Sequence, residues 1–383
     1  MSNIHLFYQS YSFEKIIQKG GEGKVSAWRH LVNKNMWVAV KEPRKDSRVL
    51  RNQLMKEAKN LHTIGNHPNI VQFYGYDNSH PNPPTLFFEM ASLGDLPKYK
   101  VSLMRARQLN AVPEATLWKL VADMVKALHW MHNGHSVPYV HGDIKPSNIL
   151  AVSPPGTNPS DIPLLPTFKL CDFTHMVPYR EDGPGTPFYG TPEYAPPHVE
   201  RRHVNTPIDI YGLGATLQEV ALDVLPVLSN IKFRDYWRMM NKTPPSLREL
   251  NNDDHRWRWD IPVIYRPLNI PLKQQQIQWD VPNPRATYSD ELNEWYTRLL
   301  HHSLDKRFSA AVLHQYFIPV ADVQIRLLVA KFECSQAAKE LSLSRTAWKV
   351  RREGKDSGCE DGSEEYDSPS TMTPREVLFT KFT

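Results

Sequence analysis

The 383-residue chain has little cysteine: Cys171, Cys334 and Cys359 are its only three. Three cysteines cannot build a disulfide framework, and no Cys-x-x-Cys pair exists to start a zinc site. Their scarcity suits a reducing compartment. No window approaches 18 consecutive apolar residues, so no membrane-spanning helix is expected. The opening Met-Ser-Asn-Ile-His lacks the basic-then-apolar pattern of a secretory signal, and position 2 is not the glycine that myristoylation needs. A strong excess of one charge sign is also missing. Lys plus Arg is 46 and Asp plus Glu is 41, a net +5, too little to imply nucleic acid or a membrane surface. No internal repeat is present. Proline, by contrast, is abundant at 32 residues and predicts many rigid loops, while 40% hydrophobic residues allow a large core.

Along the chain, residues 12–19, 25–31 and 36–41 read as strands of an antiparallel meander, punctuated by Gly20, Gly21, Gly23 and the turn Asn33-Lys34-Asn35. Residues 47–64 read as a helix, with Leu50, Leu54, Ala58, Leu61 and Ile64 at spacings of three and four. Two more strands are expected at 70–76 and 85–90. Beyond Leu93-Gly94-Asp95 the texture becomes helical. Residues 113–133 carry a broad apolar stripe, and 208–222 are apolar almost all round, as in a buried helix. Helices are also expected at 291–300, 310–318 and 325–342. Residues 153–167 read as a proline-rich loop. Residues 241–287 hold seven prolines and no sustained period, so an irregular excursion packed by Trp257 and Trp259 is expected. Residues 351–383 hold eight acidic and five basic residues with Gly, Ser and Pro, a composition that favours disorder.

The chemistry-bearing residues fall in a fixed order. Gly20-Gly21-Glu22-Gly23 alone is a weak signal, since any tight turn looks like it. Between two strands, however, it leaves backbone N–H groups free to face phosphate oxygens. Lys41 ends a strand. Glu57 sits on or near the inward face of the next helix, and a buried carboxylate needs a cation. In Tyr139-Val140-His141-Gly142-Asp143-Ile144-Lys145-Pro146-Ser147-Asn148-Ile149-Leu150, polar groups are too dense for a surface turn. Asp143 can accept a hydroxyl proton, Lys145 can neutralise a transferring phosphoryl group, and Asn148 offers an oxygen to a hard cation. Asp172 ends another short strand and supplies a second hard ligand.

This ordered set, with Gly190-Thr191-Pro192-Glu193-Tyr194-Ala195-Pro196, Asp209 at the head of a buried helix and the late Arg307, resembles the eukaryotic protein kinases of the serine/threonine class over residues 11–320. The resemblance implies an α+β, bilobal fold. A small antiparallel β-sheet lobe with one helix would span 11–90, and a larger, mainly helical lobe 91–320, with proline-rich inserts at 153–167 and 241–287. Residues 1–10 would be an extension, 321–350 a helical extension and 351–383 a disordered tail. It implies ATP and Mg2+ as cofactors and a protein Ser/Thr hydroxyl as acceptor; a monomer is expected, and the scarce cysteine places it in the cytoplasm or nucleus. Gln18, Gly20 and Gly23 would cover the nucleotide, and Val25 and Ala39 would sandwich its adenine. Phe88 would be the gatekeeper, and Glu89, Met90 and Ala91 the hinge. Asp95 would lie near the ribose or the substrate. Lys41, paired with Glu57, would hold phosphates; Asn148 and Asp172 would hold magnesium; Asp143 would be the base, with Lys145 on the gamma phosphate and Thr191 bracing both. Leu61, Phe73, His141 and Phe173 would form the internal hydrophobic spine, anchored by Asp209.

Four positions depart from the family pattern. Gln18 stands for the first glycine of the loop. Gly142 stands for the Arg that reads a phosphate on the activation segment, so phosphate on Thr186 or Tyr189 lacks its usual partner. Thr174 replaces the glycine of Asp-Phe-Gly. Pro197 replaces the glutamate that pairs with the late arginine, which predicts an Arg307 without its family partner. A pseudokinase scaffold is therefore the alternative to an active enzyme, with Trp257, Arg258 and Trp259 as anchors of a docking surface.

Overall fold

The computed structural model describes residues 3–20, 23–79, 83–158, 160–183, 185–197, 200–250, 260–279 and 284–353. A short helix, α1 (Asn3–Ser10), leads into β1 (Tyr11–Lys19), β2 (Gly23–His30) and β3 (Trp37–Pro43). With β4 (Phe73–Asp77) and β5 (Thr85–Glu89) these make a five-stranded antiparallel sheet in the order β1-β2-β3-β5-β4.

Register decides what each face carries. Val25 lies opposite Lys41 and Ala27 opposite Ala39, while Ala39 and Lys41 face Phe88 and Leu86. Directly opposed residues share a face, so Val25, Ala39, Lys41 and Phe88 look the same way. The other face carries Trp28, Val40 and Phe87. It is covered by α1: the Phe7 ring lies 4.7 Å from Tyr11, 5.5 Å from Trp28 and 4.7 Å from Phe87. That cover is why Val40 is fully buried. The small lobe thus holds two helices, one more than the sequence implies. Helix α1 is only eight residues long. Tertiary contact with the sheet supports it more than propensity does.

Between β3 and β4 runs α2 (Arg48–Ile64), capped by Ser47, whose Oγ accepts from the Leu50 N–H at 3.3 Å. Its buried face is Leu54, Glu57, Ala58, Leu61 and Ile64.

The larger, helical part begins with α3 (Leu96–Ala106), capped by Asp95, and α4 (Glu114–Asn133). Two small two-stranded antiparallel sheets follow, β6 (Tyr139–Val140) with β9 (Val177–Pro178), and β7 (Ile149–Val152) with β8 (Thr167–Leu170). Next come α5 (Pro207–Leu222), α6 (Asn230–Met239), α7 (Leu247–Leu250), α8 (Leu272–Trp279), α9 (Asp290–Leu299), the three-residue α10 (Ala310–Val312) and α11 (Ile318–Glu353). Residues 1–329 and 330–383 form two separate units. Helices α4 and α5 are buried on nearly every side and make the centre of the first. The architecture is bilobal, as the sequence implies. The loop between β7 and β8 is tied down by the Tyr99 and Thr116 hydroxyls, which donate to the carbonyls of Pro163 and Leu164 at 2.8 and 2.9 Å.

Helices α7 and α8 stand inside the stretch expected to be irregular. Trp257, Arg258, Trp259 and the tail from residue 354 lie outside the described residues. One expectation is corrected. Arg307 is not left without a carboxylate: Glu200, three residues beyond Pro197, meets it in a buried bidentate pair at 2.7 and 2.9 Å. Arg307 also donates to the carbonyls of His301 (2.9 Å) and Pro207 (3.1 Å), and its guanidinium lies 5.2 Å from the Tyr211 ring centroid. A single helical turn over Glu200–Arg202 re-aims the chain so that a displaced carboxylate reaches the same cation.

Removing one partner of a buried pair strands the other charge. Glu200→Ala is expected to lower unfolding stability by about 3–5 kcal/mol in urea titration, and Glu200→Leu with Arg307→Met to recover most of it. A loss below about 1 kcal/mol for Glu200→Ala would show that the pair does not hold this segment.

Candidate active site

A cavity of about 370 Å3 opens between the inward face of the sheet and the β6–β8 region. Its roof is Gln18, Gly20, Gly23, Val25 and Ala39, with Lys41 and Glu57 deeper in. Phe88, Glu89, Met90, Ala91 and Asp95 line one wall, and Asp143, Lys145, Asn148 and Asp172 the floor. Residues scattered over more than 150 positions of the chain are thus gathered around one space.

Strand pairing aims the Lys41 side chain inward, and α2 packs Glu57 against it. Lys41 Nζ lies 2.7 Å from Glu57 Oε2 and 3.3 Å from Asp172 Oδ1. Burial works against the ammonium charge, but the two carboxylates outweigh it and hold its pKa above the ordinary lysine range. Gly23 is needed here because a Cβ would come within 3.0 Å of the Glu42 carbonyl and against the Lys41 side chain.

Asp172 has a left-handed backbone (φ 63°), which tips its carboxylate into the cavity. Its Oδ1 accepts from the Thr174 hydroxyl at 2.8 Å. Burial pushes the carboxyl pKa up. The Lys41 charge and the Thr174 donor override it and hold the group well below the usual range. Thr174 therefore adds a donor to Asp172 that a glycine could not supply.

The opposite carboxylate, Asp143, is held on both oxygens. Oδ1 accepts from the Thr191 N–H (2.8 Å) and hydroxyl (2.7 Å), while Oδ2 accepts from Asn148 Nδ2 (2.9 Å) and faces Lys145 Nζ (2.7 Å). Lys145 also donates to the Thr191 hydroxyl at 2.7 Å. Burial raises the Asp143 pKa, and Lys145 and Thr191 pull it down past the ordinary value.

Behind these groups stands Asp209 at the head of α5. Its carboxylate accepts from the N–H of His141 (2.8 Å) and Gly142 (2.9 Å) and lies 2.9 Å from His132 Nε2. Gly142 has φ +79°, a conformation in which an L side chain is strained. The buried His141 Nδ1 accepts from the Asp143 N–H (3.2 Å), which leaves its Nε2 proton for the Cys171 carbonyl (3.1 Å). Its ring meets Phe173 edge-on at 5.0 Å. Leu61 and Phe173 are buried in the same cluster, and Phe73 packs against it. His141, Phe173, Thr191, Asp209 and Arg307 lie outside the cavity lining; of these, Thr191 and His141 bond to Asp143, and Asp209 holds His141 and Gly142.

Two placements refine the sequence picture. The Glu89 carboxylate is committed to Lys169 Nζ (2.7 Å) and the Gln72 N–H (2.7 Å). Asp95 is committed to the Lys98 N–H (2.9 Å) and ammonium (2.8 Å). Sequence reasoning missed Ile17, Val71, Leu150 and His175 as lining residues. Ile17 and Leu150 carry only a strand-like apolar signal that also fits a core position. Cys171 lines the cavity too, and burial pushes its thiol pKa up, away from reactivity.

Residues 11–317 match the sequence family described as protein kinase domain. Among curated relatives, a protein named as an L-type lectin-domain containing receptor kinase of Arabidopsis thaliana is 27% identical over 236 residues, 61% of this chain and 33% of the relative. A receptor-like protein kinase of the same plant is 29% identical over 217 residues, 56% of this chain and 22% of its own. A dual specificity mitogen-activated protein kinase kinase of Drosophila melanogaster is 30% identical over 179 residues, 46% of this chain and 40% of its own. The chain spans about a fifth to two fifths of the length of these relatives.

The donor pattern sets the titration of the floor. The protonation midpoints of Asp143 and Asp172 are expected to lie below the ordinary Asp value of about 3.9. Thr191→Val removes a donor to the charged form of Asp143, so the Asp143 midpoint is expected to rise by about one unit. Carboxyl 13C shifts against pH measure this, and an unmoved Asp143 midpoint overturns the assignment.

Proposed function

The chain belongs to the protein kinase family, and on that premise we propose that it is an ATP-dependent serine/threonine protein kinase using Mg2+. The observation that carries this reading is Asp143: an ionised carboxylate at the cavity floor, held on both oxygens, across the cavity from a Lys41 fixed by Glu57. In this reading Val25, Ala39 and Leu150 flank the adenine. Because the Glu89 and Asp95 carboxylates are committed elsewhere, main-chain groups of Glu89 and Ala91 recognise the adenine edge. Lys41 neutralises phosphate charge.

The residues present fit a magnesium ion brought in with the nucleotide. Among the described residues no group of three or more His, Cys, Asp or Glu side chains is set to cage a metal, so the protein would contribute only part of the ligand shell. The Asn148 Nδ2 is spent on Asp143, which leaves its amide oxygen as the second hard donor beside the Asp172 carboxylate. Bound there, magnesium would offset charge on the phosphate oxygens. Asp143 orients an incoming hydroxyl and takes its proton late, as its depressed pKa requires. Lys145 stands beside it, ready to meet charge on the transferring group, and Thr191 keeps both in place. The Lys145–Thr191 pair favours Ser or Thr as the acceptor. Three cysteines without a pairing framework support the cytoplasm or nucleus. No described helix is long and apolar enough to cross a membrane.

Asp143→Asn is expected to cut phosphate transfer from Mg-ATP to a generic Ser/Thr substrate by at least about a hundredfold, with ATP affinity nearly unchanged in calorimetry. Wild-type protein that labels neither itself nor such a substrate, with full cellular function in the Asp143 variant, would establish the scaffold reading instead. Acceptance of Tyr alone would keep the enzyme class and refute the Ser/Thr assignment.

Gly142 offers no guanidinium to a phosphate, so replacing Thr186 with Ala and Tyr189 with Phe is expected to leave most activity intact. A fall of about a hundredfold with the fold preserved would mean that another basic group reads that phosphate.

A further inference from the structure

A second concave site lies at the turn after α2, where it meets α4 and the stretch between α10 and α11. Its volume is about 420 Å3. His67, Lys126, His129 and His314 line it, with Pro68, Asn69 and Trp130, and no carboxylate does. Lys126 has no ion-pair partner among the described residues. A groove that gathers one cation and three protonatable rings without an acid repels itself whenever the rings charge. An anion is the natural complement.

The rings are held rather than dispersed. His129 and His314 stack with centroids 4.2 Å apart and planes 17° from parallel. His67 lies along the Trp130 face at 5.9 Å and 18°. Local hydrogen bonds orient their nitrogens. His67 Nδ1 accepts from the Asn69 N–H at 3.1 Å, so the ring proton sits on Nε2. His129 Nδ1 meets Asn133 Oδ1 at 3.2 Å, which leaves Nε2 as its free nitrogen. His314 reaches the stack from a π-helical turn (Leu313–Phe317), a widened turn of the kind that concentrates at functional sites.

We propose that this groove binds the phosphate monoester of a phosphorylated serine or threonine in a protein segment. A dianion with three acceptor oxygens matches one ammonium and several ring N–H donors. Lys126 disfavours a metal cation. The groove exceeds what a bare ion needs, and its Trp130 and Pro68 wall suits the chain on either side of a phosphorylated residue. The inference does not rest on the catalytic reading, because binding is measured without nucleotide or transfer.

The groups that face these rings set the pH dependence. Burial lowers the His67 pKa, and the charges of Lys126, His129, His314 and Lys169 on β8 lower it further. Burial and His314 lower that of His129, opposed by Asn133 and reinforced by His132. His67 and His129 are therefore biased towards the neutral form, and a bound anion favours their protonation. Affinity rises as pH falls from about 8 to about 6, and stops rising where the ester itself protonates near pH 6.

The test uses the full chain with 13C-labelled histidine and follows ring C–H signals, assigned through single His67→Gln, His129→Gln and His314→Gln variants. The probes are acetyl-Gly-phosphoSer-Gly-amide, its unphosphorylated counterpart and inorganic phosphate. The phosphopeptide is expected to shift all three rings saturably, to bind at least about fivefold tighter at pH 6 than at pH 8, and to lose at least about tenfold in Lys126→Met with the thermal midpoint unchanged. Equal shifts with the unphosphorylated peptide, or undiminished binding to Lys126→Met, overturn the proposal. Inorganic phosphate binding as tightly as the phosphopeptide overturns its assignment to a phosphorylated side chain.

Discussion

The ammonium of Lys41 joins three segments: β3, α2 and the turn after β8. It meets Glu57 from α2 at 2.7 Å and Asp172 from the turn after β8 at 3.3 Å. Without that cation the buried Glu57 carboxylate would be an uncompensated charge. The attraction among the three groups depends on α2 lying close against the sheet. The position of α2 is therefore an electrostatic condition as much as a packing result. Anything that rotated Glu57 outward would leave Lys41 with one partner and Asp172 with a larger share of its charge. The cavity and the small lobe are coupled through that one cation.

A second buried carboxylate, Asp209, organises the floor by a different means. It accepts from two successive backbone N–H groups and faces His132. The loop between β6 and β7 that carries Asp143 is thus hung from α5, one of the most deeply buried helices. Asp143 inherits that rigidity and adds its own brace through Thr191, Lys145 and Asn148. A group that must present a carboxylate in one orientation needs this kind of support, because two rotatable bonds separate it from the backbone.

Three of the four departures from the family pattern, at Pro197, Thr174 and Gly142, are absorbed locally. Glu200 replaces the carboxylate lost at Pro197 and gives Arg307 a bidentate partner. Thr174 exchanges the freedom of glycine for a hydroxyl donor to Asp172. Gly142 removes a guanidinium and at the same time relieves a left-handed backbone of its side chain. Two of the three changes leave a polar group satisfied in the interior, which is what a fold under pressure to keep its buried charges paired requires.

What the sequence by itself determined is the set of side chains and the order in which they arrive. Strand and helix periods placed Lys41 in a strand, though the strand runs on to Pro43, and Glu57 near an inward face, and the dense polar run from His141 to Asn148 marked a candidate site before any contact was known. Those signals are local, and local spacing is legible in a chain. The bilobal architecture followed from the same ordered set through its family resemblance. Only the tertiary structure decided the rest. That Glu200 would reach Arg307 across more than a hundred residues depends on how one turn is aimed, and no spacing rule encodes it. That α1 would form depends on the aromatic face of the sheet it covers. That His67, Lys126, His129 and His314 share a groove depends on three elements far apart in the chain packing at one point. Each is a long-range contact, and its energy comes from surfaces that do not exist until the chain has folded.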